Sequence, residues 1–195
     1  MSAVPQQYLS LDEYFRLEET SEIKHEYYRG TSYNMTGASE AHNLIVANII
    51  GQLNPQLIDK PCRVYPSDLR LKVEAAELYT YPDAIVICGP SQYADGRKDT
   101  VTNPTLLIEV LSPGTENYDR GAKFQNYRMI DTLHDYLMIA QDGVHVEHYI
   151  RQDNHAWLLR DFTDVSQVID LPTICCSLAL DAIYRNILFE QGPDA

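Results

Sequence analysis

The chain has 195 residues and a mass of 22.3 kDa, with 45% hydrophobic and 22% charged residues. These values are ordinary for a globular protein and predict a single domain over residues 1–195, with an ordered core from about residue 8 to residue 189. The formal net charge of −13 argues against a general nucleic-acid coat protein, because phosphate binding depends on lysine and arginine. It leaves room for carboxylates that bind divalent cations.

The N-terminus and the cysteines predict a cytoplasmic protein. Residues 1–7 have neither a basic start nor an apolar core, so no signal peptide is expected. The apolar segment from residue 44 to residue 50 is too short to span a membrane. The cysteines lack C-x-x-C or zinc-type spacing, and we expect all of them to be reduced thiols. They are Cys62, Cys88, Cys175 and Cys176.

The first half of the chain predicts two helices and several strands. A capping-box pattern from Ser10 to Glu13 predicts a short helix that ends near Glu19. A longer helix begins at Ser39, and Pro55 ends or kinks it. The predicted strands cover residues 24–28 and 32–35 around a turn, residues 63–73 with a break near Pro66, and residues 84–88 within an extended stretch from residue 78.

The second half predicts a mobile loop over residues 89–103 and then a strand buried on both faces, residues 106–111. Helices are predicted from about residue 116 to 130 and from about 181 to 189, before a tail that should fray. Further strands are predicted at residues 135–140, 144–150 and 156–161. Together these elements predict an α/β or α+β fold, with a central mixed sheet flanked by helices.

One charged residue, Glu109, interrupts the apolar strand predicted for residues 106–111. Burying an ionised carboxylate is costly unless it is paired, hydrogen-bonded or bound to a metal. We therefore interpret Glu109 as a functional carboxylate and expect other parts of the chain to supply its partners.

Asp83 is the second candidate, at the mouth of the predicted strand 84–88. Pro-Asp is a common turn pair, so Asp83 alone would be interpreted as a turn residue. With Glu109 on the next strand, the two carboxylates instead predict a site for one Mg²⁺ or Mn²⁺ ion, since magnesium prefers oxygen ligands and substrate phosphate.

Lys123 is the third candidate. Asp119, Lys123 and Tyr127 recur every four residues and therefore share one face of the predicted helix. A lysine on that face can orient a water molecule or offset charge that builds up on a phosphate. The alternative is a surface ion pair between Asp119 and Lys123, which contributes only tenths of a kcal/mol.

Three further residues are candidates for supporting roles, each with a simple alternative. Glu26 is either another carboxylate of the metal site or an exposed strand residue. His42 either contacts a phosphate or water near a helix N-terminus, where anions are favoured, or is a polar residue of the first turn. Asp68 either supports the site from an adjoining strand or belongs to a turn or bulge.

The remaining motifs give weaker signals. His145 and His148 are three residues apart and share no strand face, so we interpret them as structural. Ser112 lacks the G-x-S-x-G surroundings of a nucleophile and is interpreted as a turn residue. Without a Walker or dinucleotide motif, the sequence predicts no organic cofactor.

Six segments, taken in order, resemble one family. They are Lys24-His-Glu26-Tyr-Tyr-Arg-Gly30, Glu40-Ala-His42, Tyr81-Pro-Asp83-Ala-Ile-Val, Leu107-Ile-Glu109-Val-Leu-Ser112-Pro-Gly-Thr115, Asp119-Arg-Gly-Ala-Lys123-Phe-Gln-Asn-Tyr127 and Tyr136-Leu-Met-Ile. Each is weak alone, but their order and spacing resemble the Uma family of bacterial endonucleases, within the PD-(D/E)XK nuclease superfamily. The resemblance extends from about Tyr8 to Phe189.

The resemblance implies a restriction-endonuclease-like core and metal-dependent hydrolysis of DNA phosphodiester bonds. Carried over by residue, Asp83 is the motif aspartate and Glu109 is the second metal carboxylate. The superfamily's usual lysine lies two residues after that acid, where this chain has Leu111. The family pattern makes Lys123 its replacement on the next helix, where it would position the attacking water or stabilise the developing charge.

Two other hypotheses compete with an active endonuclease. The first is a catalytically weak or inactive nuclease-fold module that binds nucleic acid or regulates a partner, which the acidic net charge favours. The second is a metal-dependent enzyme that acts on a small phosphorylated substrate. If DNA is the substrate, the superfamily's habit of cutting two strands suggests a homodimer. Candidate contacts to the DNA backbone are Arg63, Arg70, Lys72 and Arg120, and the simpler alternative for each of them is a solvated surface charge.

Overall fold

In the computed structural model, residues 8–35 and 37–189 are described. The expectations of no signal peptide and of a fraying tail concern residues that lie outside these ranges. In the described part, no helix combines the length and apolar character that crossing a membrane requires. The helices are α1 (Leu11–Thr20), α2 (Glu40–Leu57), α3 (residues 116–127) and α4 (Leu180–Ile183). The strands are β1 (His25–Tyr28), β2 (Thr31–Asn34), β3 (Cys62–Pro66), β4 (Arg70–Val73), β5 (Leu78–Thr80), β6 (Ala84–Cys88), β7 (Thr100–Val101), β8 (Leu106–Leu111), β9 (Asp135–Ala140), β10 (Val146–Arg151), β11 (Trp157–Phe162), β12 (Val168–Leu171) and β13 (Cys176–Ala179).

The strands form two larger sheets and one separate hairpin. The six-stranded sheet has the order β11-β10-β9-β8-β6-β3, and the five-stranded sheet has the order β2-β1-β5-β4-β7. In the first of these, β8 runs parallel to β9 and antiparallel to β6. The sheet is therefore mixed and the fold is α+β, as the sequence predicts.

Alternating side chains of β8 contribute to two cores, because successive residues of a strand point to opposite faces. Ile108 and Val110 pack in the core that contains α2 and α4. Leu107 and Leu111 pack in the core that contains α3 and one face of the five-stranded sheet. The predicted burial of this strand on both faces is confirmed, since all six of its residues are buried. Glu109 lies on the α3 side.

The chain crosses between the two larger sheets in several places, and two of these crossings lie within stretches that were predicted to be extended. The stretch that was predicted as one broken strand, residues 63–73, forms β3 in the six-stranded sheet and β4 in the five-stranded sheet. Residues 78–88 likewise form β5 and β6 in different sheets, joined by residues 81–83. Each crossing contains a proline, which cannot donate to a strand ladder. Asp83 therefore lies where the two sheets meet.

Three other predictions need correction. The predicted helix 116–130 ends at Tyr127 and contains a π-helical turn, Asp119–Lys123, between α-helical ends. The predicted C-terminal helix is confined to Leu180–Ile183. The short strands β7, β12 and β13 were not predicted, because their pairing partners rather than their own sequence patterns define them.

Cys62 and Cys88 are joined by a disulfide. They lie directly opposite each other in the antiparallel pair β3–β6. The prediction that all four cysteines are reduced is therefore wrong for this pair, since strand register, which residue spacing does not reveal, brings them together. Cys175 and Cys176 are free thiols.

Candidate active site

Strand register places Asp83 and Glu109 side by side. Ala84 lies opposite Ile108 in the antiparallel pair β6–β8, so one further step places Asp83 opposite Glu109. Opposite residues of an antiparallel pair project from the same face of the sheet. The backbone N–H of Val110 donates to Asp83 Oδ2 at 2.7 Å, which fixes this carboxylate against β8.

The Glu109 carboxylate is buried, with 4% of the residue exposed. Its Oε1 accepts a hydrogen bond from the Tyr127 hydroxyl at 2.7 Å and lies 2.9 Å from Lys123 Nζ. Burial raises the pKa of Glu109, Lys123 lowers it, and Asp119 and Asp83 raise it further, to about 8. The two contacts engage Oε1 and leave Oε2 outside them.

Lys123 lies among three carboxylates. Its Nζ is 2.9 Å from Glu109 Oε1, 3.2 Å from Glu26 Oε1 and 3.3 Å from Asp119 Oδ1. Burial lowers the pKa of Lys123, but Glu109 and Glu26 outweigh it and hold the pKa well above its ordinary value. The lysine is therefore an ammonium ion. We call Glu26, Glu109, Asp119 and Lys123 the lysine cluster.

The π-helical turn of α3 supplies two members of this cluster, Asp119 and Lys123. Such turns are rare in proteins as a whole, but those that occur are often found at functional sites. The extra residue in the turn shifts the direction of the side chains that follow it. Lys123 and Tyr127 consequently reach the same oxygen of Glu109. The predicted common face of the helix is present, whereas the surface ion pair offered as its alternative is not, since Lys123 is buried.

Glu26 reaches the cluster from the five-stranded sheet. Its Oε1 accepts a hydrogen bond from Thr80 Oγ1 and contacts Lys123 Nζ. The residue is 8% exposed, which excludes the alternative of an exposed strand residue. Tyr118 also lies close, with its ring centroid 5.8 Å from Lys123 Nζ. The cluster is thus built from both sheets and α3, and Thr80 and Tyr118 gave no sequence signal.

His42 contacts the Asp83 carboxylate. It lies in the first turn of α2, and its Nε2 is 3.2 Å from Asp83 Oδ2. Its other ring nitrogen, Nδ1, is buried and has no hydrogen-bond partner within the described residues. His42 therefore orients the Asp83 carboxylate.

The donors at this site fit a divalent cation. Asp83, Glu109 and Glu26 offer carboxylate oxygens, the ligand type that Mg²⁺ and Mn²⁺ prefer. Three buried carboxylates surround a single ammonium in the lysine cluster, so the local charge is negative. Burial is the largest cause of the raised pKa of Glu109, and Asp119 and Asp83 raise it further; a divalent ion at the site would act in the opposite direction.

Asp68 does not join the cluster. Its side chain is 85% exposed and forms an ion pair with Lys24. Asp68 lies in the turn between β3 and β4, so it is a turn residue and does not support the site from an adjoining strand.

Three of the four candidate DNA contacts are already paired with protein groups. Arg70 is buried and bonds to Glu18 and the Tyr81 hydroxyl. Lys72 forms ion pairs with two carboxylates, Glu74 and Asp95. Arg120 does the same with Glu116 and Glu147. Arg63 is exposed on the edge strand β3.

A second group of polar side chains lies on β10, on β11 and at the residue that precedes β10. His145, Glu147 and Asp161 place one potential ligand atom each within 4.8 Å of one another. This grouping was missed, because register pairs Glu147 with Asp161 across the two strands. The Arg120 guanidinium already contacts Glu147 at 2.8 Å. His148 forms a separate buried pair with Asp135, consistent with its structural interpretation.

Comparison with known proteins decides the family. Residues 11–182 match the model of the Uma2 family, which is described as a putative restriction endonuclease. The chain belongs to this family. The resemblance inferred from the sequence motifs is thereby confirmed.

Two relatives and one solved structure extend the comparison. Two uncharacterized proteins of Synechocystis sp. are 37% and 36% identical to the chain, over 93% and 78% of its length and 94% and 86% of their own. A crystal structure from Anabaena variabilis, described as a putative nuclease belonging to DUF820, matches with a TM-score of 0.75 and 18% identity. It covers 92% of this chain and 99% of that one. This likeness concerns the fold, and it confirms the predicted core of a mixed sheet flanked by helices.

Proposed function

We propose that the protein is a metal-dependent endonuclease that hydrolyses DNA phosphodiester bonds. One observation carries the proposal: Asp83 and Glu109 occupy opposed positions on one face of β6–β8, and the Lys123 ammonium lies 2.9 Å from Glu109. Membership of the Uma2 family, whose description is putative restriction endonuclease, supports the same reaction. Asp83 and Glu109 are the proposed metal ligands.

Each side chain has a distinct proposed role. A bound Mg²⁺ or Mn²⁺ ion supplies Lewis acidity at the phosphate and activates the attacking water. The Lys123 ammonium orients that water or stabilises the negative charge that develops on the phosphate. Glu26 and Asp119 hold the ammonium in place, and Tyr127 fixes the Glu109 carboxylate. His42 holds the Asp83 carboxylate.

Cleavage of plasmid and of single-stranded DNA tests this proposal. We expect cleavage with Mg²⁺ or Mn²⁺ and none with chelator. Asp83→Asn and Glu109→Gln should each reduce the rate on the order of a hundredfold or more. A matched control is Asp170→Asn, which changes an exposed carboxylate on β12 and should leave the rate unchanged. Equal rates in all four proteins, or cleavage in chelator, would refute the proposal.

A second candidate function is a nuclease-fold module that binds DNA or a partner without cutting. The observation in its favour is that Arg70, Lys72 and Arg120 are all bound to carboxylates of the protein itself, in a chain of net charge −13. This function predicts DNA or protein binding that survives Glu109→Ala and no cleavage under any metal condition.

The same proposal includes DNA as the substrate, Mg²⁺ or Mn²⁺ as the metal ion, a homodimer, a cytoplasmic location and a single-domain organisation. The homodimer is open to direct test, since light scattering coupled to size-exclusion chromatography measures the mass in solution. A mass near 22.3 kDa, the mass of one chain, would contradict it.

A further inference from the structure

The Lys123 ammonium occupies a position among the buried carboxylates of the lysine cluster that a bound cation could also occupy. It contacts one oxygen from each of Glu26, Glu109 and Asp119, at 3.2, 2.9 and 3.3 Å. These residues come from β1, β8 and α3, and all are buried. In the arrangement described, the positive charge that balances Glu109 is therefore a side chain of the protein.

The Lys123 ammonium would repel a metal ion that binds to Glu109. A divalent cation on Glu109 and an ammonium on the same carboxylate would lie within a few ångströms of each other in a poorly solvated site, where like charges repel strongly. Lys123 has an alternative place, because Glu26 and Asp119 also bind its Nζ and the Tyr118 ring lies nearby. The lysine can thus leave Glu109 without losing all of its partners.

We propose that Lys123 is a tethered counter-ion, which competes with the divalent metal for Glu109 and weakens metal binding until a substrate phosphate is present. The inference rests on the proposed function, because it takes Asp83 and Glu109 as the metal ligands. The phosphate adds negative charge and offers the displaced ammonium a new partner, so metal and DNA bind cooperatively. Lys123 then regulates metal binding in addition to its proposed catalytic role.

Binding of Mn²⁺ to the metal-free protein without DNA, measured by calorimetry, tests the inference. We expect Lys123→Met to bind Mn²⁺ at least tenfold more tightly than the wild type, because the competing charge is gone. Lys72→Met is the matched control: Lys72 also bonds to two carboxylates, Glu74 and Asp95, and its loss should not change Mn²⁺ binding. Asp83→Asn should abolish it.

Two failures are distinguishable. Equal or weaker Mn²⁺ binding by Lys123→Met, with binding still dependent on Asp83, overturns the counter-ion role and leaves the proposed function standing. Mn²⁺ binding that is indifferent to Asp83 in every variant overturns the proposed function itself.

A second variant keeps the test decisive if Lys123→Met does not fold. Lys123→Gln retains an amide donor for the buried carboxylates while removing the charge, and it should show the same tighter binding. An oligonucleotide with uncleavable phosphorothioate linkages adds an independent measurement. It should tighten Mn²⁺ binding in the wild type by at least fivefold more than in Lys123→Gln, and an equal effect in both proteins would contradict the cooperativity.

Discussion

Two buried charge clusters each include a residue of the five-stranded sheet, and they differ in how their carboxylates are paired with donors and positive charges. In the first, which we call the arginine cluster, Glu18 is the buried carboxylate. It accepts hydrogen bonds from the His25 backbone N–H at 2.9 Å and from the Tyr81 hydroxyl, and it pairs with His25 Nδ1 at 2.8 Å and Arg70 Nη2 at 3.4 Å. One carboxylate therefore has four donors. In the lysine cluster, three carboxylates share one ammonium.

This difference separates a structural cluster from one that is prepared for a ligand. A buried charge that is fully paired and hydrogen-bonded stabilises the positions of its neighbours, whereas an excess of one sign opposes folding. The lysine cluster carries that excess, which a divalent cation would remove. The comparison predicts opposite stability effects when a carboxylate is removed from each cluster.

The largest effect is expected in the arginine cluster. Glu18→Ala would leave the buried Arg70 guanidinium without its carboxylate, and should lower the free energy of unfolding by about 3–5 kcal/mol. Urea denaturation measures the change. The matched control is Glu19→Ala on the same helix, since Glu19 is largely exposed and pairs with Arg97; it should cost about 0–1 kcal/mol. Similar costs for both variants would remove the distinction.

Glu109→Gln should have the opposite sign. Removal of one carboxylate from an over-supplied cluster should stabilise the metal-free protein at pH 8 by about 1–2 kcal/mol while abolishing cleavage. Urea denaturation in chelator, paired with the plasmid assay, measures both. A destabilised Glu109→Gln protein would place the lysine cluster in the same structural class as the arginine cluster.

The pH dependence of stability should also identify Glu109. Its pKa is about 8 in the folded protein, against an ordinary value of 4.5, so the folded state holds more protons than the unfolded state between these values. Stability from this group is therefore lost as the pH rises from 4.5 to about 8. Unfolding measured in chelator at pH 5 and pH 8 should show a smaller decline for Glu109→Gln than for the wild type. Parallel declines would contradict the assignment.

The smallest effect is expected for Tyr127→Phe. This change deletes the hydrogen bond to Glu109 Oε1 without opening a cavity, and should cost about 1 kcal/mol of stability. Tyr136→Phe is a suitable control, because the hydrogen bond from the Tyr136 hydroxyl to the Asp119 carbonyl is long, at 3.4 Å. A greater loss for Tyr136→Phe would show that the Glu109 hydrogen bond carries little weight.

The sequence predicts those features that depend on local pattern. The apolar run with Glu109 at its centre indicates a buried strand, and the spacing of Asp119, Lys123 and Tyr127 indicates a common helix face. Both features are present. The convergence of Asp83 and Glu109 was predicted on the condition that their strands are neighbours, and the two strands are paired in the structure.

Features that depend on long-range register were not predicted. The Cys62–Cys88 disulfide and the pairing of Glu147 with Asp161 are set by which residues meet across two strands. Arg70 was interpreted as a candidate DNA contact, because the sequence does not reveal that Glu18 lies beside it. A local sequence pattern predicts which side chains share one face of a helix or strand. The residues that pack against that face are known only from the folded structure.

The π-helical turn of α3 makes the site sensitive to a different class of mutation. One residue rotates a helix by about 100°, so the segment after the turn is out of phase with an uninterrupted α-helix. A change that closed this turn into regular α-helix, with all five of its residues retained, would rotate Lys123 and Tyr127 by about 100° away from Glu109, although every side chain of the site would still be encoded. The backbone geometry of this turn is therefore itself a functional property of the chain, because a change in that geometry alone would be enough to disturb the site.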